Sequence, residues 1–413
     1  MRIWLVRDLD PLPIDGPERR LMRSGLLAQA LADRGHDVTW FTSSFDHYRK
    51  RNRPLRGRIE AGSNLALEVL PGRGYRHNIS PARVVHNREF ARAFRAAAMT
   101  LPPPDVVVAD LPTTEGAQAG VEIARQFGVP SVVSIRDLWP DFFVPLLPPY
   151  LRYLAQPMIA MLDKQARYAC RHATALVGIS DGYLRWGQIK GEGRDTTHDR
   201  VFPLGYSPHI PDAASIAGSG PALSMPPDSH IVAFAGSWGA TSDLRLVYEA
   251  AGRLVHREDI HFVLAGDHAR YPGLADSLRG LPNVTLTGWL GVESLAALLE
   301  RATLGLLPYV ANAPQGLPNK VFEYMAYGTY QISTIGGELG EFLERTGAGV
   351  AVPEATGEQL ADCISALADD PAIAARRPER KAFFASHFRA DAIHAAMGEH
   401  IEDVVRTVPG EST

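Results

Sequence analysis

The sequence predicts an α/β protein built from two doubly wound domains, and three observations carry that expectation. A chain of 413 residues suits two domains of ordinary size, each long enough to bury its own core. Short, almost wholly apolar segments alternate with helical patterns twice over, as in parallel sheets covered on both faces. Between the two series lies SPHIPDAASIAGSGPALSMPPDS, residues 207–229, whose Pro, Ser, Gly and Ala suit a linker or surface excursion. The domains fall at residues 1–206 and 207–388, with a closing segment at 389–413.

Residues 3–6 are a strand of the buried type, followed by a polar loop to Glu18. A helix over residues 19–34 presents Leu21, Met22, Leu26, Leu27, Ala30 and Leu31 and stops at Gly35, and residues 38–42 form the next strand. This βαβ order builds a parallel sheet with its site at the carboxyl ends of the strands. Strand patterns recur at 65–70, at 106–109 before a helix rich in small residues, at 131–135 and at 175–179, and 201–204 closes the half. After the linker come strands at 231–234, 261–265, 284–287 and 304–307, with helices at 243–256 and 293–301. Helices at 357–368, 371–385 and 390–407 end the chain.

A hydrophobic content of 46% and a charged content of 21% are those of a soluble globular protein. The net charge of −4 gives no global drive toward nucleic acid or membrane. Cys170 and Cys363 are too few and too far apart for a disulfide framework or a zinc knuckle, so a reducing cytoplasm is the expected home. MRIWLVRDLD has too short an apolar run for a signal peptide or a span and reads as the first strand.

The chemistry concentrates in residues 313–338, APQGLPNKVFEYMAYGTYQISTIGGE. A Gly-Leu-Pro turn leads into a helix over residues 319–327, which Gly328 stops before a β-rich run at 330–335. Pro318 suits the first turn of that helix, where its missing N–H removes no hydrogen bond. The free amides there and the positive end of the helix dipole favour a phosphate, and Lys320 adds a full charge. Lys320, Glu323, Tyr324 and Tyr327 share one face. Glu323, flanked by apolar and aromatic residues, needs hydrogen-bond donors: ribose hydroxyls supply them, or else it pairs with Lys320 or caps a neighbouring turn.

This stretch resembles the donor-site signature of the retaining glycosyltransferases of family 4, in which two glutamates stand eight positions apart across a turn and a helix start. The resemblance implies that Glu323 holds the donor ribose. Gln315, at the place of the first glutamate, would contact the transferred sugar through an uncharged amide, with Gly316, Leu317, Pro318 and Asn319 forming the donor-binding turn. It also implies the twin-Rossmann (GT-B type) architecture, two domains facing each other across a cleft, with the last helix crossing back to the first domain. The donor is then a nucleotide sugar used as co-substrate, with no metal or other cofactor required, since helix amides and Lys320 stabilise the departing diphosphate.

Gly236, Ser237 and Trp238 follow the first strand of the second half, where a glycine turn either admits a phosphate or merely joins strand to helix. The basic residue that the family often carries a few positions later is absent here, leaving Lys320 with Arg245. Trp289, after a later strand, either stacks on the donor base or packs into the core, and packing is favoured. SIRDLWPDFF, residues 134–143, is similar to an Asp-Leu-Trp-Pro segment in a family 4 subgroup of bacterial surface-polysaccharide synthesis, which includes enzymes facing lipid-linked acceptors. Asp137 is its candidate catalytic carboxylate or a turn cap, and Arg136 stands where many members have a histidine.

The loop at residues 8–19 takes the place of the family's acceptor loop, with Asp15 and Gly16 as acceptor-binding residues. Asp8-Leu9-Asp10 reads as an exposed polar loop in preference to a metal site. FDHYRKRNRPLRGR, residues 45–58, packs six basic residues around His47, a further acceptor contact, and Arg83, Arg88, Arg92 and Arg95 follow. Such a patch holds a pyrophosphate-linked lipid or an anionic membrane surface, or is a solvated face. Residues 142–162 are apolar but broken by prolines and Arg152, so they suit a bilayer surface and not a span. The expected activity is sugar transfer to a carbohydrate or lipid-linked acceptor hydroxyl, with peripheral membrane contact and no nucleic acid. A nucleotide-sugar epimerase of the same fold and a catalytically degenerate partner subunit are the alternatives.

Overall fold

The computed structural model describes residues 1–16, 21–142, 144–208, 225–239, 241–311, 313 and 316–408. The chain divides into two compact units, Met1–Leu204 with Ala390–Thr413, and Gly205–Arg389.

The first unit begins with β1 (Arg2–Val6), α1 (Arg23–Asp33) and β2 (Asp37–Ser43). A small hairpin follows, β3 (Phe45–Asp46) and β4 (Arg51–Asn52), then β5 (Gly57–Gly62), β6 (Leu65–Leu70) and α2 (Pro81–Ala98). The unit continues through β7 (Val106–Leu111), α3 (Thr114–Gln126), β8 (Ser131–Ile135), α4 (Pro149–His172), β9 (Ala175–Gly178), α5 (Asp181–Lys190) and β10 (Arg200–Val201). The sheet order is β10-β9-β8-β7-β1-β2-β6-β5, parallel throughout except for β5 on its edge. Side chains alternate across this sheet, and both faces are buried. Ile3 and Leu5 pack with Leu27, Leu31 and Trp40 on one face. Trp4 and Val6 pack with Phe41, Phe90 and Phe94 on the other, where the Trp4 and Phe41 rings meet edge-on at 5.1 Å.

Four features of this unit differ from the sequence expectation. The predicted helix over residues 19–34 starts at Arg23, because the Ser24 amide donates to the Asp10 carboxylate at 3.2 Å and that contact caps the first turn. The basic stretch contains a hairpin and runs into an edge strand, β5, whose exposed polar side chains hide the strand pattern. The proline-broken apolar stretch becomes, from Pro149, a 24-residue helix with Pro157 inside it. The loop at Asp8 and Asp10 is not an exposed polar loop, since both carboxylates are buried.

The second unit holds β11 (His230–Ala235), α6 (Leu244–Arg253), β12 (Ile260–Ala265), α7 (Pro272–Arg279), β13 (Val284–Gly288), α8 (Val292–Arg301) and β14 (Ala302–Leu307). Then come α9 (Asn319–Ala326), β15 (Tyr330–Ser333), α10 (Gly337–Thr346), β16 (Gly349–Ala351), α11 (Gly357–Asp369), α12 (Pro371–Ala375) and α13 (Arg377–His387). Its sheet is wholly parallel, in the order β13-β12-β11-β14-β15-β16. The predicted helix at 371–385 is two helices, parted at Arg376.

The last helix, α14 (Ala390–Thr407), belongs to the first unit, where Met397, Ile401 and Val404 join the cluster of Ile3, Leu27 and Leu31. Among the described residues no helix is long and apolar enough to cross a membrane. In each sheet the strand order reverses beside the first strand, between β1 and β7 and between β11 and β14. Parallel sheets of this kind bind ligands outside the carboxyl ends of the strands at that reversal.

Candidate active site

In the second unit the reversal is flanked by the turn after β11 and by the loop that leads from β14 into α9. Gly236 closes β11 with φ at 144°, and Gly266 closes β12 with φ at 146°. Both values lie where residues with a Cβ are strained. A Cβ on Gly236 would collide with the Lys320 side chain, and one on Gly266 would strike the Gly236 carbonyl. The strand ends are stitched by backbone bonds, Gly236 N to Ala265 O at 2.9 Å and Gly266 N to Gly288 O at 2.8 Å. A close-packed glycine floor results.

Lys320 reaches this floor from the first turn of α9. Its Nζ lies 4.1 Å from the centre of the Phe234 ring. Burial pushes its ammonium down to about 8, and the Glu323 charge one turn on opposes that shift. Among the described residues no side chain caps the first turn of α9, which begins after Pro318 in extended geometry. Tyr324 fixes the helix: its hydroxyl accepts from the Ala235 amide at 2.9 Å and donates to the Leu306 carbonyl at 3.4 Å, joining the ends of β11 and β14. Gly305 leaves room for the Tyr324 ring, since a Cβ there would sit 2.6 Å from it. Lys320 and Tyr324 therefore do share a face, and that face is turned inward, with Tyr324 and Tyr327 buried.

The other donor-side candidates spread around this centre. Gly316 and Pro318 are half-buried, Leu317 is buried, and Asn319 and Ser237 are exposed. Gln315 lies outside the described residues. Trp238 turns into the core, its ring 5.5 Å from His268, and its indole N–H has no partner among the described residues. Its contribution to a ligand would come from its backbone. Beside it is a cavity of about 300 Å³ lined by Trp238, Ser242, Arg245, Tyr271 and Val310. The expected packing of Trp289 is overturned: it follows an edge strand, and the residue is 74% exposed among the described residues.

At the reversal of the first sheet, buried charges pair with one another. Arg136 Nη1 donates to Asp10 at 2.8 Å and to Asp110 at 2.9 Å, and Arg7 reaches Asp10 at 3.2 Å. Burial raises the Asp10 carboxyl, but Arg136 and Arg7 outweigh it and hold the group well below the usual carboxylate range. The neighbouring Asp8 accepts from His86 Nε2 at 3.1 Å, while His86 Nδ1 accepts from the Gly74 amide. These pairings make the aspartates structural anchors of the strand ends.

Asp137, at the end of β8, takes the Leu138 amide at 2.9 Å and so caps its own turn, and burial also pushes its carboxyl up to about 6. Asp15 is not available to an acceptor hydroxyl, because Arg53 grips both its oxygens at 2.6 and 2.7 Å and the Leu12 amide adds a third bond. Gly16 is exposed with φ at 103°. His47 bonds the Tyr75 hydroxyl at 2.6 Å, and burial with the nearby Lys50 and Arg83 pushes it down to about 3. No local sequence pattern points to Tyr75 or to the Asp10–Asp110–Arg136 pairing, in which Asp10 and Arg136 lie more than a hundred residues apart.

A family model described as "Glycosyl transferase 4-like domain" matches residues 16–204, and one described as "Glycosyl transferases group 1" matches residues 229–370. This chain is a glycosyltransferase of the GT-B type. The transferase is 26% identical over 264 residues to alpha-D-kanosaminyltransferase of Streptomyces kanamyceticus, covering 57% of this chain and 67% of that one. Its fold is similar to that of sucrose-phosphate synthase from Thermosynechococcus elongatus, with a TM-score of 0.69 and 18% identity over 99% of this chain and 100% of the other. HepE of Anabaena in complex with UDP gives a TM-score of 0.65 at 14% identity, with 97% of the transferase and 99% of HepE covered. HepE is also known in complex with UDP-glucose.

Proposed function

We propose that this glycosyltransferase moves a sugar from a nucleoside diphosphate to an acceptor hydroxyl, with retention, in the synthesis of a cell-surface polysaccharide or glycoconjugate. The observation that carries the reading is the desolvated Lys320 ammonium beside the glycine turn at Gly236, at the start of α9, to which Pro318 offers no side-chain cap. A desolvated cation at the first turn of a helix favours an anion, and a diphosphate supplies it. Glu323 then takes the ribose and Gln315 the transferred sugar, and Asp137 is the candidate catalytic carboxylate of the first unit. No cofactor beyond the nucleotide sugar enters this scheme, since the charge on the leaving diphosphate is met by Lys320 and the helix amides. The complexes of HepE with UDP and UDP-glucose support a nucleotide donor.

A thermal-shift screen across UDP, GDP and dTDP sugars tests the site, because a ligand at 100 times its Kd adds about 2.7 kcal/mol to stability. The cognate donor should stabilise the native chain, and Lys320→Met and Glu323→Ala should each abolish both the shift and transfer. Full transfer by either variant would refute the assignment, and the anomeric configuration of the product reports on retention.

The same reading places the enzyme in the cytoplasm, in peripheral contact with the membrane that carries a lipid-linked acceptor. Tyr150, Tyr153 and Leu154 in the first turns of α4 are 68%, 80% and 71% exposed, an apolar and aromatic face suited to a headgroup region. Sedimentation with anionic vesicles at low salt should capture the native chain and lose the Tyr153→Ser/Leu154→Ser variant. Equal capture of both would remove this face from the scheme.

A further inference from the structure

Of the ten basic side chains in residues 45–58 and on α2, four are answered by carboxylates close by among the described residues. Arg53 pairs with Asp15 at 2.6 Å, Arg49 with Asp46 at 4.0 Å, Arg58 with Glu60 at 3.1 Å and Arg95 with Glu122 at 2.6 Å. Lys50 and Arg83 are not among these four, and they are set apart by where they meet. Among the described residues neither has a carboxylate within ion-pair distance, yet both converge on Tyr75.

Arg83 is 6% exposed, and its buried Nε has no partner among the described residues. Its guanidinium lies 4.2 Å from the Trp139 ring centre and 5.5 Å from that of Tyr75, and Nη1 donates to the Asn78 carbonyl at 2.9 Å. Lys50 Nζ lies 4.7 Å from the Tyr75 ring centre and 3.4 Å from His47 Nδ1, and it donates to Asn78 Oδ1. The backbone of Lys50 has φ at 52°, the left-handed region that a residue with a Cβ adopts only under strain. The β3–β4 hairpin holds it there. Two cations are thus brought beside one histidine by a strained backbone and a buried, incompletely bonded guanidinium, an arrangement that an anion between them would relieve.

We propose that Lys50, Arg83, His47 and the Tyr75 hydroxyl form a phosphate-binding subsite in the first unit, which takes a phosphoryl group carried by the acceptor. This rests on the reading of that unit as the acceptor domain. Arg83, with its guanidinium 4.2 Å from the Trp139 ring centre, offers N–H donors, and Lys50 offers a charge from the hairpin. Burial pushes Lys50 down to about 8, with Arg83 acting in the same direction, so a bound dianion would raise it again.

The test uses full-length chain carrying Lys320→Met, which silences the donor site, titrated with inorganic pyrophosphate by calorimetry. Binding is expected, and adding Lys50→Gly or Arg83→Gln should weaken it by about tenfold or more, the worth of one charged hydrogen bond. Glycine is at ease at φ 52°, so Lys50→Gly should keep or raise the melting temperature, and its loss of affinity cannot then come from misfolding. Unchanged affinity in Lys50→Gly, or no pyrophosphate binding at all, overturns the subsite. A thermal shift with UDP in the chain with native Lys320 is read separately, so its absence counts against the donor site and not this one. Geranyl diphosphate and glucose 1-phosphate as competitors then separate a lipid diphosphate from a soluble sugar phosphate, and displacement by neither overturns the link to the acceptor.

Discussion

Burial lowers the Lys320 ammonium to about 8, against 10.5 for an ordinary lysine, so the folded chain carries this charge unwillingly at neutral pH. Below about pH 8 both the folded and the unfolded chain hold the proton, and the folded one bears the whole desolvation penalty. Between pH 8 and 10.5 the unfolded chain binds more protons, so the contribution of Lys320 to stability rises with pH across that window. Lys320→Met keeps the apolar stem over Phe234 and removes the charge. It is expected to stabilise the second unit at pH 7, by up to about 3 kcal/mol, and to gain nothing at pH 10.5. Thermal unfolding of both proteins at the two pH values measures this, and a variant less stable than the native chain at pH 7 would contradict the desolvated-cation account. A residue that weakens the fold and anchors the ligand is the kind of compromise a binding site retains.

Strand ends are held by charges as well as by apolar contact, and the two kinds of element differ in how well the sequence shows them. The strands of both sheets could be read because a parallel sheet buried on both faces leaves an apolar run, as in VVVADL of β7 and ATLGLL of β14. β5 could not, being an exposed polar edge, nor could β16, which is only three residues long. The start of α10 is hidden by Gly336 and Gly337, since the glycine at its N-cap has no side chain with which to cap the first turn. The Asp15–Arg53 pair and the Asp10–Asp110–Arg136 cluster join distant segments, and no local pattern announces them. The cluster carries its own prediction. Arg136→Met leaves Asp10 and Asp110 buried without their main counter-charge and should cost about 3 to 5 kcal/mol in the first unit at pH 7. Because Asp10 is held below its unfolded value, the native cluster contributes stability above about pH 4 that is lost as the pH falls. The gap between variant and native chain in denaturant melts should therefore shrink toward acid, and a constant gap from pH 7 to 3 would count against the pairing.

On the scale of the whole molecule, the chain completes its first unit only at its end. Met397, Ile401 and Val404 of α14 are buried against Leu27, Leu31 and the β1 face, in the same cluster as residues from the opening strand. The second unit is built from an uninterrupted run between them and has its own core around Phe234, Phe262 and Leu304. The donor candidates Lys320, Glu323 and Gly236 all lie in that run, so an injury to α14 and a ligand at α9 should be felt in different places. Ile401 is fully buried, and Ile401→Ala removes three carbons from a close-packed site, a change that costs about 2 to 5 kcal/mol according to how far the site collapses. Calorimetric scans with and without UDP separate the two effects. The variant should lower the transition of the first unit by several degrees, while the increment in melting temperature caused by UDP stays as in the native chain. An equal loss in both units, or a vanished UDP increment, would mean that α14 supports the donor unit as well, and the division of labour drawn from the two cores would have to be given up.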